Sequence, residues 1–141
     1  MDERGEWVIY CDGSAVPNPG RMGLGAVIMA PDGTRHTLSQ AGTGKGCNNE
    51  AELLALMAAL SELKARGATA LRAYSDNSVL VAQLGPDPSK PIVRLADLFS
   101  QARTMLSSFD RVQLQWIPRH RNLEADALAR AAVGLPSKIP A

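Results

Sequence analysis

Trp7-Val8-Ile9-Tyr10-Cys11-Asp12 is a nearly continuous apolar run that ends in a carboxylate. A run of this kind is typical of a strand covered on both faces, as at the centre of an α/β sheet. A second run, residues 70–75, ends in Asp76, and a helical pattern lies between the two runs. Because crossovers of this kind are right-handed, we expect the second strand to run parallel to the first, and we consider the case in which the two are neighbours. Asp12 and Asp76 would then be neighbours at the carboxyl edge of the sheet, where ligand sites lie in open α/β sheets.

The first third of the chain predicts an antiparallel meander. Strands are predicted over residues 7–12, 23–30 and 34–40, and the third is polar enough for a sheet edge. Pro31-Asp32-Gly33 predicts the turn between the second and third strands, because proline presets φ and glycine accepts positive φ.

Helical periodicity begins after Asn48-Asn49 and ends at Gly67, which suits a helix C′ position. Its apolar stripe consists of Leu53, Leu56, Met57, Leu60 and Leu63. A short helix is predicted over residues 78–84, and a longer one begins near Pro91, with Ile92, Leu95, Phe99, Ala102 and Leu106 facing inward. Alternation of Val112, Leu114 and Trp116 with polar residues predicts a half-buried fifth strand, and residues 122–133 predict the last helix. The order βββαβααβα implies an α/β fold, with a mixed sheet and helices on its faces.

The composition fits one domain. The chain has 141 residues, of which 45% are hydrophobic, so it can bury a sizeable core and is not disordered as a whole. We expect the domain to cover residues 1–134 and a tail to cover residues 135–141, where two prolines interrupt any periodicity. The net charge of +1 lacks the strong basic excess of many nucleic-acid-binding domains, although Arg119, His120 and Arg121 cluster before the last helix.

Cysteine usage and the start of the chain favour a cytoplasmic protein. Cys11 and Cys47 have neither zinc-ligand spacing nor the number needed for a disulfide framework. The first residues lack the basic and apolar parts of a signal peptide, and no apolar run approaches membrane-spanning length. We expect no membrane contact, and since nothing requires an oligomer, we expect a monomer.

Four carboxylates stand out by their positions: Asp12, Glu52, Asp76 and Asp126. Each alone has a structural explanation, because acids are common in turns after strands and near helix starts. Together they lie at the ends of two apolar strands and the starts of two helices. Carboxylates brought together remain ionised only with positive charge among them, and hard divalent cations such as Mg²⁺ prefer such oxygen ligands.

These residues belong to four stretches that resemble the motifs of type 1 ribonuclease H, in the same order. The stretches are Tyr10-Cys11-Asp12-Gly13-Ser14 with Asn18-Pro19-Gly20, Asn48-Asn49-Glu50-Ala51-Glu52-Leu53, Tyr74-Ser75-Asp76-Asn77-Ser78, and Trp116-Ile117-Pro118-Arg119-His120 with residues 122–129. They span nearly the whole chain, and four spaced motifs on the expected elements are a specific signal. The resemblance implies a five-stranded mixed sheet in the order 3-2-1-4-5, with strands 1–3 antiparallel and helices on both faces.

The resemblance also implies an endoribonuclease that cuts the RNA strand of an RNA–DNA hybrid, leaving 5′-phosphate and 3′-hydroxyl ends. Its cofactors would be two Mg²⁺ ions, with Mn²⁺ as a substitute. Asp12 would bridge both ions, Asp76 and Glu52 would hold one side, and Asp126 the other. His120 would carry protons near the leaving group or assist release of product and metal, for which a near-neutral pKa is suited. A loop histidine that only adds charge near phosphate is the alternative.

Substrate contacts are implied in the same way. Gly13, Ser14, Asn18 and Asn49 would contact the minor groove of the hybrid, and Glu52 would also touch a 2′-hydroxyl, which distinguishes RNA from DNA. Asn48 is predicted to cap the helix instead. Many relatives carry a basic, aromatic-containing protrusion where this chain has only residues 85–91, so Arg119 and Arg121 are expected to replace part of its phosphate contacts.

Two other functions remain open at this point. One is a binding module for RNA–DNA hybrids that lacks catalysis, although a binder needs cations rather than a cluster of anions. The other is a metal-dependent nuclease of the same superfamily that acts on DNA. The positions that would read a 2′-hydroxyl argue against it.

Overall fold

The computed structural model describes residues 5–85 and 92–139. Its strands are β1 (Trp7–Val16), β2 (Gly20–Met29), β3 (Arg35–Gly46), β4 (Ala70–Ser75) and β5 (Arg111–Trp116). Its α-helices are α1 (Asn48–Ala65), α2 (Ser78–Gln83), α3 (Ala96–Ser107) and α4 (Leu123–Ala132), and single 3-10 turns precede α3 (Val93–Leu95) and α4 (Arg119–Arg121). The predicted order of elements is therefore confirmed.

The sheet has the predicted order β3-β2-β1-β4-β5. β1, β2 and β3 pair antiparallel, whereas β4 is parallel to both β1 and β5. The turn between β2 and β3 is also confirmed, because Gly33 has φ +90° and the Ala30 N–H donates to the Thr34 carbonyl at 2.8 Å.

β1 extends further than predicted, so the expectation that Asp12 ends its strand is wrong. Pairing with β4 stops at Cys11 and Ser75, but pairing with β2 continues to Val16 opposite Arg21. β2 and β3 are longer than predicted for the same reason, since each strand supports its neighbour beyond the apolar stretch. Asp12 still lies where the parallel pairing ends, and Asp76 follows the last residue of β4.

The two faces of the sheet are covered differently. On one face, α1 and α3 enclose the core, whose fully buried side chains include Ile9, Cys11, Leu53, Leu56, Leu60, Leu63 and Phe99. On the other face, α4 lies against β2 so closely that an added Cβ at Gly25 would stand 2.4 Å from the Ala125 carbonyl oxygen. These contacts fix the positions of α1 and α4 relative to β1, the central strand.

Two other predictions need correction. Trp116 is predicted to share the inward face of β5 with Val112 and Leu114, but it is 53% exposed, and its indole N–H donates to the Asp76 carbonyl at 3.2 Å. The helix predicted from Pro91 begins only at Ala96, after a 3-10 turn; Pro91 itself and most of the loop over residues 85–91 lie outside the described residues. Leu106 packs against the core and is partly buried, in agreement with its predicted inward position.

No helix in the described parts of the chain combines the length and apolar character required to cross a membrane.

Candidate active site

Strand pairing brings the first two carboxylates together. Since Cys11 is opposite Ser75 in the parallel pair, the next residues, Asp12 and Asp76, emerge side by side. Asp12 is 4% exposed, and one of its oxygens accepts a hydrogen bond from the Gly13 N–H at 2.9 Å. The two acids are therefore neighbours at this edge of the sheet, as predicted.

Gly13 determines how closely Glu52 approaches. A Cβ at Gly13 would stand 2.3 Å from the Ala51 carbonyl carbon and 2.4 Å from the Glu52 nitrogen, so the first turns of α1 rest on the bare backbone of β1. Glycine is the residue that permits this approach. The result is that Glu52 is delivered beside Asp12 with only 6% of its surface exposed.

The start of α1 is tied to the preceding loop, but the prediction that Asn48 caps the helix is wrong. Cys47 is the N-cap, and its Sγ accepts from the Glu50 N–H. Asn48 instead accepts a hydrogen bond from the Ala15 N–H at 2.9 Å, while its own N–H donates to Asn18 Oδ1 at 3.0 Å. The Asn48 side chain therefore links the start of α1 to β1.

Ligating oxygens of Asp12, Glu52 and Asp76 all lie within 4.8 Å of one another. Asp126, from the first turn of α4, adds a fourth carboxyl that lines the same cavity and is close enough to help raise the pKa of Asp12. Four carboxyl groups from β1, α1, the end of β4 and α4 thus meet at one place.

Burial and mutual repulsion disfavour the ionised forms of these groups. The pKa of Asp12 is raised to about 7, by burial first and then by the neighbouring Asp76 and Asp126. The pKa of Glu52 is well above its usual value, again through burial first and then through Asp12. Burial also raises the pKa of Asp76, although the Asn122 amide and the charges of Arg119 and Lys138 oppose the rise.

Two oxygens of the cluster show that the site fits a divalent metal. Glu52 Oε2 and Asp126 Oδ2 are buried and have no hydrogen-bond partner among the described residues. Such atoms are costly to bury without a partner. Bound cations would supply partners to both oxygens, and carboxylates are the ligands that hard cations select.

The cluster opens into a cavity of about 530 Å³. Its lining includes the predicted residues Asp12, Gly13, Ser14, Asn49, Glu52, Asp76, Arg119 and Asp126, and also Asn77, Arg130, Leu135 and Lys138. The described part of the tail therefore lies along the cavity.

Three predicted residues are placed outside this lining. Asn18 uses its side-chain oxygen in the bond to the Asn48 N–H. His120 is exposed in the 3-10 turn beside Arg119. Arg121 lines a separate cleft of about 130 Å³, together with Tyr10 and Met29.

Asn122 is the main residue that sequence reasoning missed. It is 2% exposed, and its Nδ2 donates to the Cys11 carbonyl and to Asp76 Oδ2, both at 3.0 Å. Its position before α4 suggested a helix start, yet its side chain makes no capping bond. Asn77 is a second case: it caps α2 through Oδ1, and its Nδ2 donates to Asn49 Oδ1 at 2.8 Å. A buried amide in contact with a carboxylate has no signature in a single sequence.

The sequence is similar to a protein family described as "Reverse transcriptase-like", whose profile matches residues 10–132. It is 35% identical to the bifunctional protein Rv2228c of Mycobacterium tuberculosis over 89% of this chain but only 35% of that protein, so it spans about a third of that relative's length. It is 32% identical to ribonuclease H of Cupriavidus pinatubonensis, over 91% of this chain and 95% of that protein.

Solved structures agree with the sequence matches. Ribonuclease H1 of Halobacterium salinarum superposes with a TM-score of 0.85 at 31% identity, over 92% of this chain and 98% of that one. LC11-RNase H1, solved in complex with an RNA/DNA hybrid, superposes with a TM-score of 0.79 at 30% identity, over 91% of this chain and 96% of that one. With the sheet order and the acidic cluster described above, these matches show that the chain belongs to the type 1 ribonuclease H family.

Proposed function

We propose that this chain is an endonuclease that hydrolyses the RNA strand of RNA–DNA hybrids. The observation that carries the proposal is the convergence of four carboxyl groups, three of them with oxygens within 4.8 Å, at the floor of an open cavity. A surface that only binds a polyanion has no use for this arrangement, because buried anions repel phosphate. The products would carry 5′-phosphate and 3′-hydroxyl ends.

The cofactors we propose are two Mg²⁺ ions, with Mn²⁺ able to replace them. Asp12 would contact both ions, Glu52 and Asp76 would hold one, and Asp126 the other. When bound, such ions provide a hydroxide-like nucleophile and neutralise charge at phosphorus and the leaving oxygen. The two unpartnered oxygens of Glu52 and Asp126 support this assignment.

The surrounding residues would position the substrate. Asn49 Oδ1 accepts a hydrogen bond from Asn77 Nδ2 at 2.8 Å, and both residues line the cavity together with Glu52. Gly13 and Ser14 line the same wall. We assign these residues to the minor groove of the hybrid, with Glu52 also contacting a 2′-hydroxyl, the group that separates RNA from DNA.

His120 would assist proton transfer to the leaving group or release of the product. It is exposed beside Arg119, which lines the cavity, so it is accessible to a substrate bound there. Arg119 would contact phosphate. Arg121 would contact phosphate and Asn18 the minor groove from positions outside the cavity lining.

We further propose that the domain over residues 1–134 acts as a monomer in a reducing cytoplasm. Cys11 and Cys47 are both free thiols, as expected in such a compartment. The similarity to LC11-RNase H1, which was solved with an RNA/DNA hybrid, supports the choice of substrate.

The test is a cleavage assay with labelled RNA–DNA hybrid, double-stranded RNA and double-stranded DNA, in Mg²⁺ or Mn²⁺. We expect cleavage only of the RNA strand of the hybrid. Asp76→Asn should abolish it, because the change removes ligand charge where Asp76 follows β4, and should leave folding intact by circular dichroism. Asp32→Asn, an exposed turn substitution, is the control.

Each alternative has a distinct outcome. Hybrid binding without cleavage in either metal would indicate a binding module, and cleavage of double-stranded DNA would indicate a DNA nuclease. Normal cleavage by Asp76→Asn would show that the carboxylate cluster is not the site.

A further inference from the structure

The cavity lining contains both amides and positive charges. The amides are Asn48, Asn49 and Asn77, and the cationic residues are Arg119, Arg130 and Lys138. All three cationic residues come from the chain immediately before α4, in its last turn, or after its end. We call these three residues the cationic side of the cavity.

The chain after α4 is held against the cationic side by a series of hydrogen bonds. Gly134 turns the chain with φ +78°, and the Leu135 N–H donates back to the Arg130 carbonyl at 2.9 Å. The Arg130 Nε then donates to the Pro136 carbonyl at 2.7 Å. We call residues 134–139 the C-terminal segment; these bonds direct it along the cavity instead of away from it.

Lys138 is the cationic residue of this segment. Its side chain is exposed and lines the cavity, so it stands at the rim and not among the core residues. It shares this lining with Asp76 and Asp126, so its positive charge lies in the same cavity as the acidic cluster.

We propose that the C-terminal segment is part of the substrate-binding surface and that Lys138 contacts a backbone phosphate of the hybrid next to the cleaved linkage. This inference rests on the proposed function and adds a contact to it. A phosphate that approaches four carboxylates is repelled, and a nearby ammonium group offsets that repulsion. Lysine is suited to this role, because its compact charge on a flexible stem follows a phosphate without demanding one geometry.

The experiment measures hybrid affinity against salt concentration in an Asp76→Asn background, where bound RNA is not cut. Lys138→Gln should weaken hybrid binding several-fold and make the slope of log K against log[salt] less negative by about 1, as expected for one lost phosphate contact. Lys138→Arg keeps the charge and should restore most of both values.

Arg66→Gln is the matched control, because it also removes one exposed positive charge. Arg66 follows the end of α1, about 25 Å along the helix from Asn49, and pairs with Glu62. The Arg66→Gln variant should keep the affinity within a factor of two of the background protein and leave the salt slope unchanged.

An unchanged salt slope in Lys138→Gln would overturn the inference. If that variant instead binds Mg²⁺ more tightly in the chain with Asp76 intact, and the salt slope stays the same, Lys138 is a counter-ion of the carboxylates and not a phosphate ligand. Failure of the proposed function is separate, because it would appear as absent hybrid cleavage by the unsubstituted chain, whatever Lys138→Gln does to binding.

Discussion

Asn122 connects the acidic cluster to the backbone of the central strand. One amide nitrogen donates to both the Cys11 carbonyl and Asp76 Oδ2. Hydrogen bonds to charged groups are stronger than neutral ones, and they restrict the rotation of the group that accepts them. The orientation of Asp76 thus depends on a residue outside the carboxylate set.

Asn122→Ala should therefore lower both stability and turnover. We expect the free energy of unfolding in urea to fall by about 1–3 kcal/mol, because a buried carbonyl and a carboxylate each lose a partner. Hybrid cleavage should fall at least tenfold at saturating substrate, since Asp76 is no longer held in place. A loss of stability without a loss of turnover would mean that Asn122 supports the fold alone.

At the scale of elements, glycines decide how close the helices come to the sheet. Gly25 is opposite Asp12 in the β1–β2 pair and faces the backbone of α4, while Gly13 faces α1. Two helices carry acids of the cluster, α1 with Glu52 and α4 with Asp126. Each contacts the strand backbone directly, because the glycine it faces has no side chain. The separation of the acids follows from these two contacts.

Gly25→Ala should displace α4. The added Cβ would stand 2.4 Å from both the Ala125 carbonyl oxygen and the Ala129 nitrogen, which are backbone atoms that cannot rotate away. We expect a loss of about 1–3 kcal/mol in the free energy of unfolding, typical of overpacking, together with reduced hybrid cleavage as Asp126 moves.

Gly85→Ala is the control for that change, because its closest neighbour would be the Ala82 carbonyl oxygen at 3.3 Å and its φ is not positive. The free energy of unfolding should change less than half as much in Gly85→Ala as in Gly25→Ala. Equal effects of the two substitutions would contradict the close packing of α4 on β2.

The sequence predicted the strands and helices well, because apolar periodicity and turn residues are local signals. It did not predict the extension of β1 to Val16 or the exposure of Trp116. Both depend on a partner: β2 continues the pairing of β1 after β4 ends, and Asp76 offers its carbonyl to the indole. Contacts of this kind are decided by residues distant in the chain.

At the scale of the whole molecule, burial of the acidic cluster costs stability, although the same cluster forms the candidate active site. The four carboxylates of this site were predictable from the sequence, because they follow apolar runs or lie near helix starts. Asn122, Arg130 and Lys138 were not, since only the folded arrangement brings them to the cavity. We therefore expect the free energy of unfolding to depend on pH and on divalent cations, because of this cluster.

Without metal, stability should decrease as pH rises from about 4 to 7. The pKa of Asp12 is about 7 in the fold instead of 3.8, so the folded state binds the proton more tightly than the unfolded chain throughout that range. At about 1.4 kcal/mol per pKa unit, the loss from Asp12 alone is at most about 4 kcal/mol, and the raised pKa values of Glu52 and Asp76 act in the same direction. Urea denaturation in EDTA at pH 4.5, 6 and 7.5 measures it.

Mg²⁺ should reverse the trend, because it binds the ionised carboxylates and its stabilisation grows with its concentration relative to Kd. Asp12→Asn should flatten the pH dependence in EDTA, whereas Asp32→Asn, in an exposed turn, should leave it. A metal-free protein that gains stability between pH 4.5 and 7.5 would contradict the buried cluster.

Cys11 lies directly beneath this cluster with none of its surface exposed. Burial first, and then the charges of Glu52, Asp12 and Asp76, raise the pKa of its thiol well above the usual value. Alkylating reagents attack the thiolate, so in the closed sheet they have neither access nor a reactive form to attack. Cys47 is only partly buried and should be labelled first. The slower labelling of Cys11 would then report how often β1 separates from its neighbouring strands, so its rate measures local opening of the core.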